Sequence, residues 1–202
     1  MSLLSTYPNL PPKKKIVGGT FDHIHPGHKL LLTMTAFLLS PEAAAPRLVA
    51  GITGETLLIN KKHRKHLGTW DDRAAEVIEF LRAISDFSVH PKPLQPSYSP
   101  STPETDSTPR SATATVTGEG KEFVIETVEI NDPFGPTITN EAITALVVSE
   151  ETKNGGEAVN KKRAEKGWDA LQVYQVDVLE DAGGKISSTE IRRRLEESEG
   201  GV

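Results

Sequence analysis

The chain has 202 residues, with 23 Lys and Arg against 28 Asp and Glu for a formal net charge of −5, and it contains no cysteine. A chain of this length builds one domain and buries about 70% of the surface exposed when unfolded, while the missing cysteine excludes disulfides, Cys-ligated zinc, iron–sulfur clusters and a thiol nucleophile. The acidic balance argues against a basic groove for nucleic acid, and the longest uncharged apolar stretch, Leu30 to Pro41, is far short of the ~20 residues of a membrane span; a soluble, cytoplasmic protein is expected.

Residues 1–13 read as a tail, followed by a buried strand at Ile16–Gly18 and a helix from Pro26 to Leu39, with Pro at a first-turn position where its missing N–H costs nothing. The helix is apolar nearly all round, which suggests burial on both sides or a self-association face. Arg47–Ile52 is a second strand, and Asp71–Ile84 a helix with Ala75, Ile78 and Leu81 on one side. Residues 91–117 hold six of the 14 prolines together with five Ser and six Thr, a composition that cannot offset its ordering entropy. They are expected to form a disordered insert within a single domain spanning residues 14–198. Ser99, Thr102 and Thr108 each precede Pro and would suit proline-directed phosphorylation. A polyproline ligand at Pro93 to Pro96 would suit a non-catalytic scaffold that binds nucleotide.

Beyond the insert come a strand at Glu122–Ile130, a short helix at Asn140–Thr144, a strand at Ala145–Ser149, a charged helix at Gly156–Lys166, a strand at Leu171–Leu179 and a last helix at Ser188–Glu197. This alternation predicts an α/β fold, a doubly wound parallel five-stranded sheet in a three-layer α/β/α arrangement. In such a sheet ligands bind beyond the C-terminal strand ends, so the loops after Val17, Ile52, Ile130, Val148 and Leu179 are where chemistry is sought.

The first of these loops runs from Gly18 to His28 and carries three of the six His, at 23, 25 and 28. Gly18 and Gly19 permit a sharp turn and let a phosphate approach the backbone. His25 and His28 share the face of a helix start, with Gly27 leaving a flat floor between them. Two chemistries compete. His23, His25 and His28 together resemble the HxHxxH run of metallo-hydrolases, although Gly27 stands where that run normally has Asp. Alternatively, His25-Pro26-Gly27-His28 resembles the HxGH element of the nucleotidyltransferase superfamily. Lys185-Ile186-Ser187-Ser188-Thr189-Glu190-Ile191-Arg192 is similar to the ISSTxxR element of the same superfamily. Ser187 with Glu190 fits a capping box, whose free N–H groups attract an anion, and Arg192, Arg193 and Arg194 would then meet that anion.

Ile130 to Thr137 (INDPFGPT) and Val147 to Gly156 (VVSEETKNGG) sharpen the resemblance to the eukaryotic and archaeal type of phosphopantetheine adenylyltransferase. It covers residues 14–195 apart from the insert and implies a Rossmann-like fold that transfers AMP from ATP to 4′-phosphopantetheine, giving dephospho-coenzyme A and pyrophosphate. It further implies that His28 stabilises the phosphates, that Thr20 orients the acceptor phosphate, and that a lysine after the second strand, Lys61 with Lys62 close behind, joins the site. Gly19, Phe21, His25, Gly27, Ser149, Glu151 and Thr152 would meet the nucleotide, Arg163 its phosphates, and Ser187, Ser188, Thr189 and Arg192 the phosphate tail. Mg²⁺ would accompany ATP with few protein ligands, and the partners would be a second copy or other coenzyme A pathway enzymes. No GxxxxGK[ST] is present, so one step only is expected.

Overall fold

The computed structural model describes residues 14–39, 46–85, 99–101, 109–118, 121–177, 180–181, 184–185 and 187–200. The elements are β1 (Lys14–Gly19), α1 (Pro26–Phe37), β2 (Arg47–Thr53), α2 (Trp70–Ser85), β3 (Ser99–Ser101), β4 (Ser111–Gly118), β5 (Lys121–Ile130), β6 (Ile143–Ser149), α3 (Lys153–Glu165), β7 (Gln172–Val176), β8 (Glu180–Asp181), β9 (Gly184–Lys185) and α4 (Ser188–Gly200). The last two strands pair as a small hairpin. The others form one sheet in the order β3-β4-β5-β2-β1-β6-β7.

Five of these strands, β5-β2-β1-β6-β7, run parallel, which is the predicted core. Their inner strands are apolar on both faces, as burial under helices on both sides requires. Val17, Leu48, Ala50, Ile52, Ile125 and Val147 pack on the side of α1 and α2 with Leu32, Trp70, Val77 and Leu81. Ile16, Val49, Leu146 and Val148 face the other way toward Val159 of α3. The chain winds outward from β1 through β2 to β5, then returns to β6 on the other side of β1. The strand order therefore reverses beside β1, and a crevice opens there at the C-terminal strand ends.

Two expectations are corrected. Within the stretch expected to be a disordered insert, residues 99–101 and 111–117 lie in strands, and β4 runs antiparallel along Lys121 to Val128 of β5. Its alternation is the reason: Ala112, Ala114 and Val116 are buried in the main core while Thr113 and Thr115 are exposed, a period-2 pattern masked by the surrounding prolines. Residues 91–98 and 102–108, with Thr102, Thr108 and the Pro93 to Pro96 segment, lie outside the described residues, as does the tail of residues 1–13. The short helix expected at Asn140–Thr144 is instead the approach to β6, and a 3₁₀ turn lies earlier at Gly135–Ile138. Asp132 sets that turn by accepting the N–H groups of Phe134 and Gly135 at 2.8 and 2.9 Å. Gly135 has φ +50, and a Cβ there would lie 2.4 Å from Ile130 Cγ2, so both the conformation and the space require glycine.

Candidate active site

A cavity of about 510 Å³ lies at the crevice, within the roughly 300–1,000 Å³ of small-molecule sites. Its walls come from four sequence-distant segments: the β1–α1 turn with Gly19, Thr20, Phe21, His25, Gly27 and His28; the end of β6 with Ser149, Glu151 and Thr152; the start of α4 with Ser187, Ser188, Thr189 and Arg192; and Lys61 beyond β2. Pro133, Phe134, Pro136 and Thr137 of the turn after β5 complete it. All of the expected site residues except Arg163, Lys62, Arg193 and Arg194 therefore meet on one cavity.

The β1–α1 turn is built around its histidines. His25 caps α1, its Nδ1 accepting the Gly27 N–H at 3.2 Å, and its ring stacks on that of His28 with centroids 3.9 Å apart. A Cβ on Gly27 would lie 3.1 Å from the His25 ring, close enough that a side chain there would press on the stack. The Phe21 ring is 5.3 Å from that of His28. Burial, and secondarily the neighbouring His25, push the His28 pKa from 6.5 down to about 3. The imidazole is neutral, with a buried Nδ1 that has no hydrogen-bond partner. His23 belongs elsewhere: its Nε2 is 2.8 Å from the His66 carbonyl, and it borders a separate shallow depression with Glu76 and Phe80. The three histidines thus do not converge as metal ligands. Among the described residues no three His, Asp or Glu side chains are grouped to hold a metal ion.

Ser149 and Thr152 form a reciprocal cap that fixes the turn after β6, with the Ser149 N–H donating to Thr152 Oγ1 at 3.1 Å. At the start of α4 the Glu190 N–H donates to Ser187 Oγ at 3.3 Å, half of the expected capping box. The other half is absent because the Glu190 carboxylate is taken by Arg193 and Arg194 at 2.6 and 2.8 Å. Those two arginines therefore pair along their own helix and do not converge on the cavity.

Arg163 is also placed differently from expectation. It is buried, and its guanidinium donates to the carbonyls of Asp169, Thr137, Glu141 and Ile143 at 2.7 to 3.3 Å. It braces α3 against the turn after β5 instead of meeting a phosphate. Lys62 is exposed and gives only its carbonyl, to Arg192 Nε at 3.1 Å. Arg192 borders the cavity, but its guanidinium is already engaged with the buried Asp22, with Lys62 and with Thr189.

Asp22 and Arg73 escape the sequence reading. Arg73, on α2 and buried, donates through Nη1 to the carbonyls of Thr20 at 2.7 Å and Thr53 at 3.0 Å. Thr53 Oγ1 donates to the Gly19 carbonyl at 3.1 Å, so the ends of β1 and β2 are tied twice. No periodicity marks either residue. The only available signal is that a charge on an otherwise apolar or glycine-rich segment must find a partner when buried.

The chain matches the cytidylyltransferase-like family over residues 16–194. It is 38% identical to a phosphopantetheine adenylyltransferase of Saccharomyces cerevisiae over 187 residues, 90% of this chain and 48% of that protein. It is 34% identical to an uncharacterised protein of Schizosaccharomyces pombe over 89% of this chain and 47% of that one, so it spans about half the length of both fungal relatives. A phosphopantetheine adenylyltransferase of Pyrococcus abyssi is 28% identical over 91% of this chain and 90% of its own length. A crystal structure of a protein of unknown function from Archaeoglobus fulgidus, 22% identical, superposes with a TM-score of 0.54 over 82% of this chain and 89% of that one, and shares the fold.

Proposed function

The chain belongs to the cytidylyltransferase-like family, and from that premise we propose that it transfers AMP from ATP to 4′-phosphopantetheine, giving dephospho-coenzyme A and pyrophosphate. The observation that carries the reading is the convergence of the His25–His28 turn, Lys61, the turn after β6 and the start of α4 on one cavity. The names of the relatives in Saccharomyces cerevisiae and Pyrococcus abyssi support the choice of acceptor.

A phosphate oxygen of the acceptor attacks the α-phosphorus of ATP in line. The bond from that phosphorus to the oxygen bridging to the β-phosphate breaks, and pyrophosphate leaves with the electron pair. No side chain is bonded to an intermediate, so catalysis is positioning and electrostatic stabilisation. His28, neutral and half-buried, donates one ring N–H to charge developing on the α-phosphate. Thr20 and Lys61 hold the acceptor phosphate at the ends of β1 and β2. Gly19, Phe21, His25 and Gly27 form the floor for the nucleotide, Ser149, Glu151 and Thr152 its far wall, and Ser187, Ser188 and Thr189 offer the α4 N-terminus to the phosphate tail. Mg²⁺ accompanying ATP would supply neutralisation of part of the triphosphate charge. Among the described residues the carboxylates that border the cavity are those of Glu151 and Asp177, which fits a cation held mainly by phosphates and water.

No helix among the described residues is long and apolar enough to cross a membrane, and a cytoplasmic location suits ATP and a phosphorylated acceptor. Partner contact falls to α1, where Met34 and Phe37 are 40% and 78% exposed, with a second copy or another coenzyme A pathway enzyme. The decisive experiment is pyrophosphate release with each substrate alone and with both. Release only with ATP and 4′-phosphopantetheine together is expected. Faster turnover with nicotinamide mononucleotide or a phosphorylated alcohol would overturn the acceptor assignment and leave adenylyl transfer in place.

A further inference from the structure

We propose that Asp22 and Arg192 form a buried clasp that positions Lys61, and that Arg192 is a positioning residue instead of a ligand of the phosphates. The proposal rests on the reading of Lys61 as the contact for the acceptor phosphate.

Asp22 lies on the β1–α1 turn and Arg192 on α4, 170 residues apart in sequence, and both side chains are almost wholly buried. Each makes one further bond to the segment between β2 and α2. Arg192 Nε donates to the Lys62 carbonyl at 3.1 Å, and Asp22 Oδ1 accepts the Gly68 N–H at 3.0 Å. The paired charges therefore grip the segment at two points, immediately beside Lys61 at one and at the approach to α2 at the other. Arg192 Nη2 also donates to Thr189 Oγ1 at 3.2 Å, which draws the start of α4 into the same clasp.

Within the segment the Lys61 N–H donates to the carbonyl of the buried Leu58 at 3.0 Å, which holds Lys61 from the β2 side, and the clasp holds it from the α2 side. The regular structure of the segment is limited to two 3₁₀ turns, at Glu55–Leu57 and Arg64–His66, and Lys61, Lys62, Arg64 and Lys65 are exposed. Its other ties to α4 involve partly or largely exposed side chains: His63 and Lys65 with Glu196, and Lys65 and His66 with Glu199. Such pairs are screened and hold weakly, whereas a pair sealed from water and bonded at its remaining atoms holds a fixed geometry. With its guanidinium committed to Asp22, Lys62 and Thr189, Arg192 would have to leave Asp22 uncompensated in order to turn toward a phosphate, which burial opposes.

The test is a double-mutant cycle between Arg192→Lys and Lys61→Met. Lysine keeps the charge beside Asp22 but cannot hold Lys62 and Thr189 at once. In the wild type, Lys61→Met should lower kcat/KM for the acceptor about 100-fold. In the Arg192→Lys background the same change should cost less than about threefold, because Lys61 has already lost its place. Affinity for ATP, measured by calorimetry, should change less than about twofold in Arg192→Lys, since no direct phosphate contact is removed. Amide hydrogen exchange over residues 58–68 should accelerate about tenfold or more in both Arg192→Lys and Asp22→Asn while α2 keeps its protection. Independent, multiplicative losses, or an ATP affinity weakened about tenfold or more, would make Arg192 a phosphate ligand and overturn the proposal. If Asp22→Asn does not fold, the Arg192→Lys arms decide alone. A wild-type protein that binds ATP but leaves 4′-phosphopantetheine unreacted would remove the acceptor assignment, and the exchange and ATP measurements would still decide the clasp.

Discussion

His28 reaches the cavity as an uncharged donor, because burial and the stacked His25 ring hold its pKa at about 3. Such a group binds a phosphate in the ground state less strongly than an imidazolium would, and its contribution grows as negative charge concentrates on the α-phosphate oxygens. His28→Ala is expected to lower kcat about 10²–10³-fold with a much smaller change in ATP affinity. Steady-state pyrophosphate release together with calorimetry reads both, and near-normal turnover would remove His28 from the mechanism. The same shift has a consequence for stability. Between pH 6.5 and about 3 the unfolded histidine binds a proton that the folded one refuses, so this contribution is intact above 6.5 and drains as the pH falls. Urea midpoints followed from about pH 7 to about pH 4 should therefore fall more steeply for the wild type than for His28→Gln. Parallel curves would contradict the neutral assignment.

At the level of the elements, Arg163 and β4 show where the sequence was readable and where it was not. The five parallel strands and the helices of the core were legible because β-branched runs bounded by turns and 3.6-residue periodicity are local signals. The His25–His28 turn and the start of α4 were legible as motifs because their spacing is local too. Arg163 was not: four carbonyls from α3's own C-terminal loop and the approach to β6 converge on it only after folding, and an arginine near a cavity looks the same in sequence whichever way it turns. Replacing it by Met should destabilise the protein by about 3 kcal/mol or more, because carbonyls are left without donors in a buried place. ATP affinity measured on the folded fraction should move little, and a large affinity loss at unchanged stability would restore the phosphate role. β4 was hidden by composition, its alternation lying directly after the proline-rich run. It covers the β5 edge and seats Ala112, Ala114 and Val116 against the core. Ala114→Asp puts a carboxylate without a partner into that contact and should cost about 3 kcal/mol. Urea unfolding measures the loss, and wild-type stability would show that β4 does not pack on the core.

In the whole molecule, the net charge of −5 says little about the site, because the Asp22–Arg192 pair and the Arg73 guanidinium that brace its walls are internal and paired or tied to backbone carbonyls. The first and last segments of the fold meet there: the turn after β1 supplies Asp22, α4 supplies Arg192, and the segment between β2 and α2 is held between them. Binding-site assembly and completion of the fold are therefore one event, and α4 is a component of the cooperative unit instead of a lid on a finished domain. Removing residues 187–202 should strand the Asp22 carboxylate in the interior and release Lys62, with a loss of about 3–5 kcal/mol, the range for breaking a buried pair. A chain ending at Ile186 is thus expected to unfold at markedly lower urea and to lose ATP binding in the same step. In the intact protein, the slowest-exchanging amides of α4 should share the opening free energy of β1 and β6. Exchange in α4 that proceeds freely while the sheet stays protected would show that the helix docks after folding, and that the site can open without unfolding.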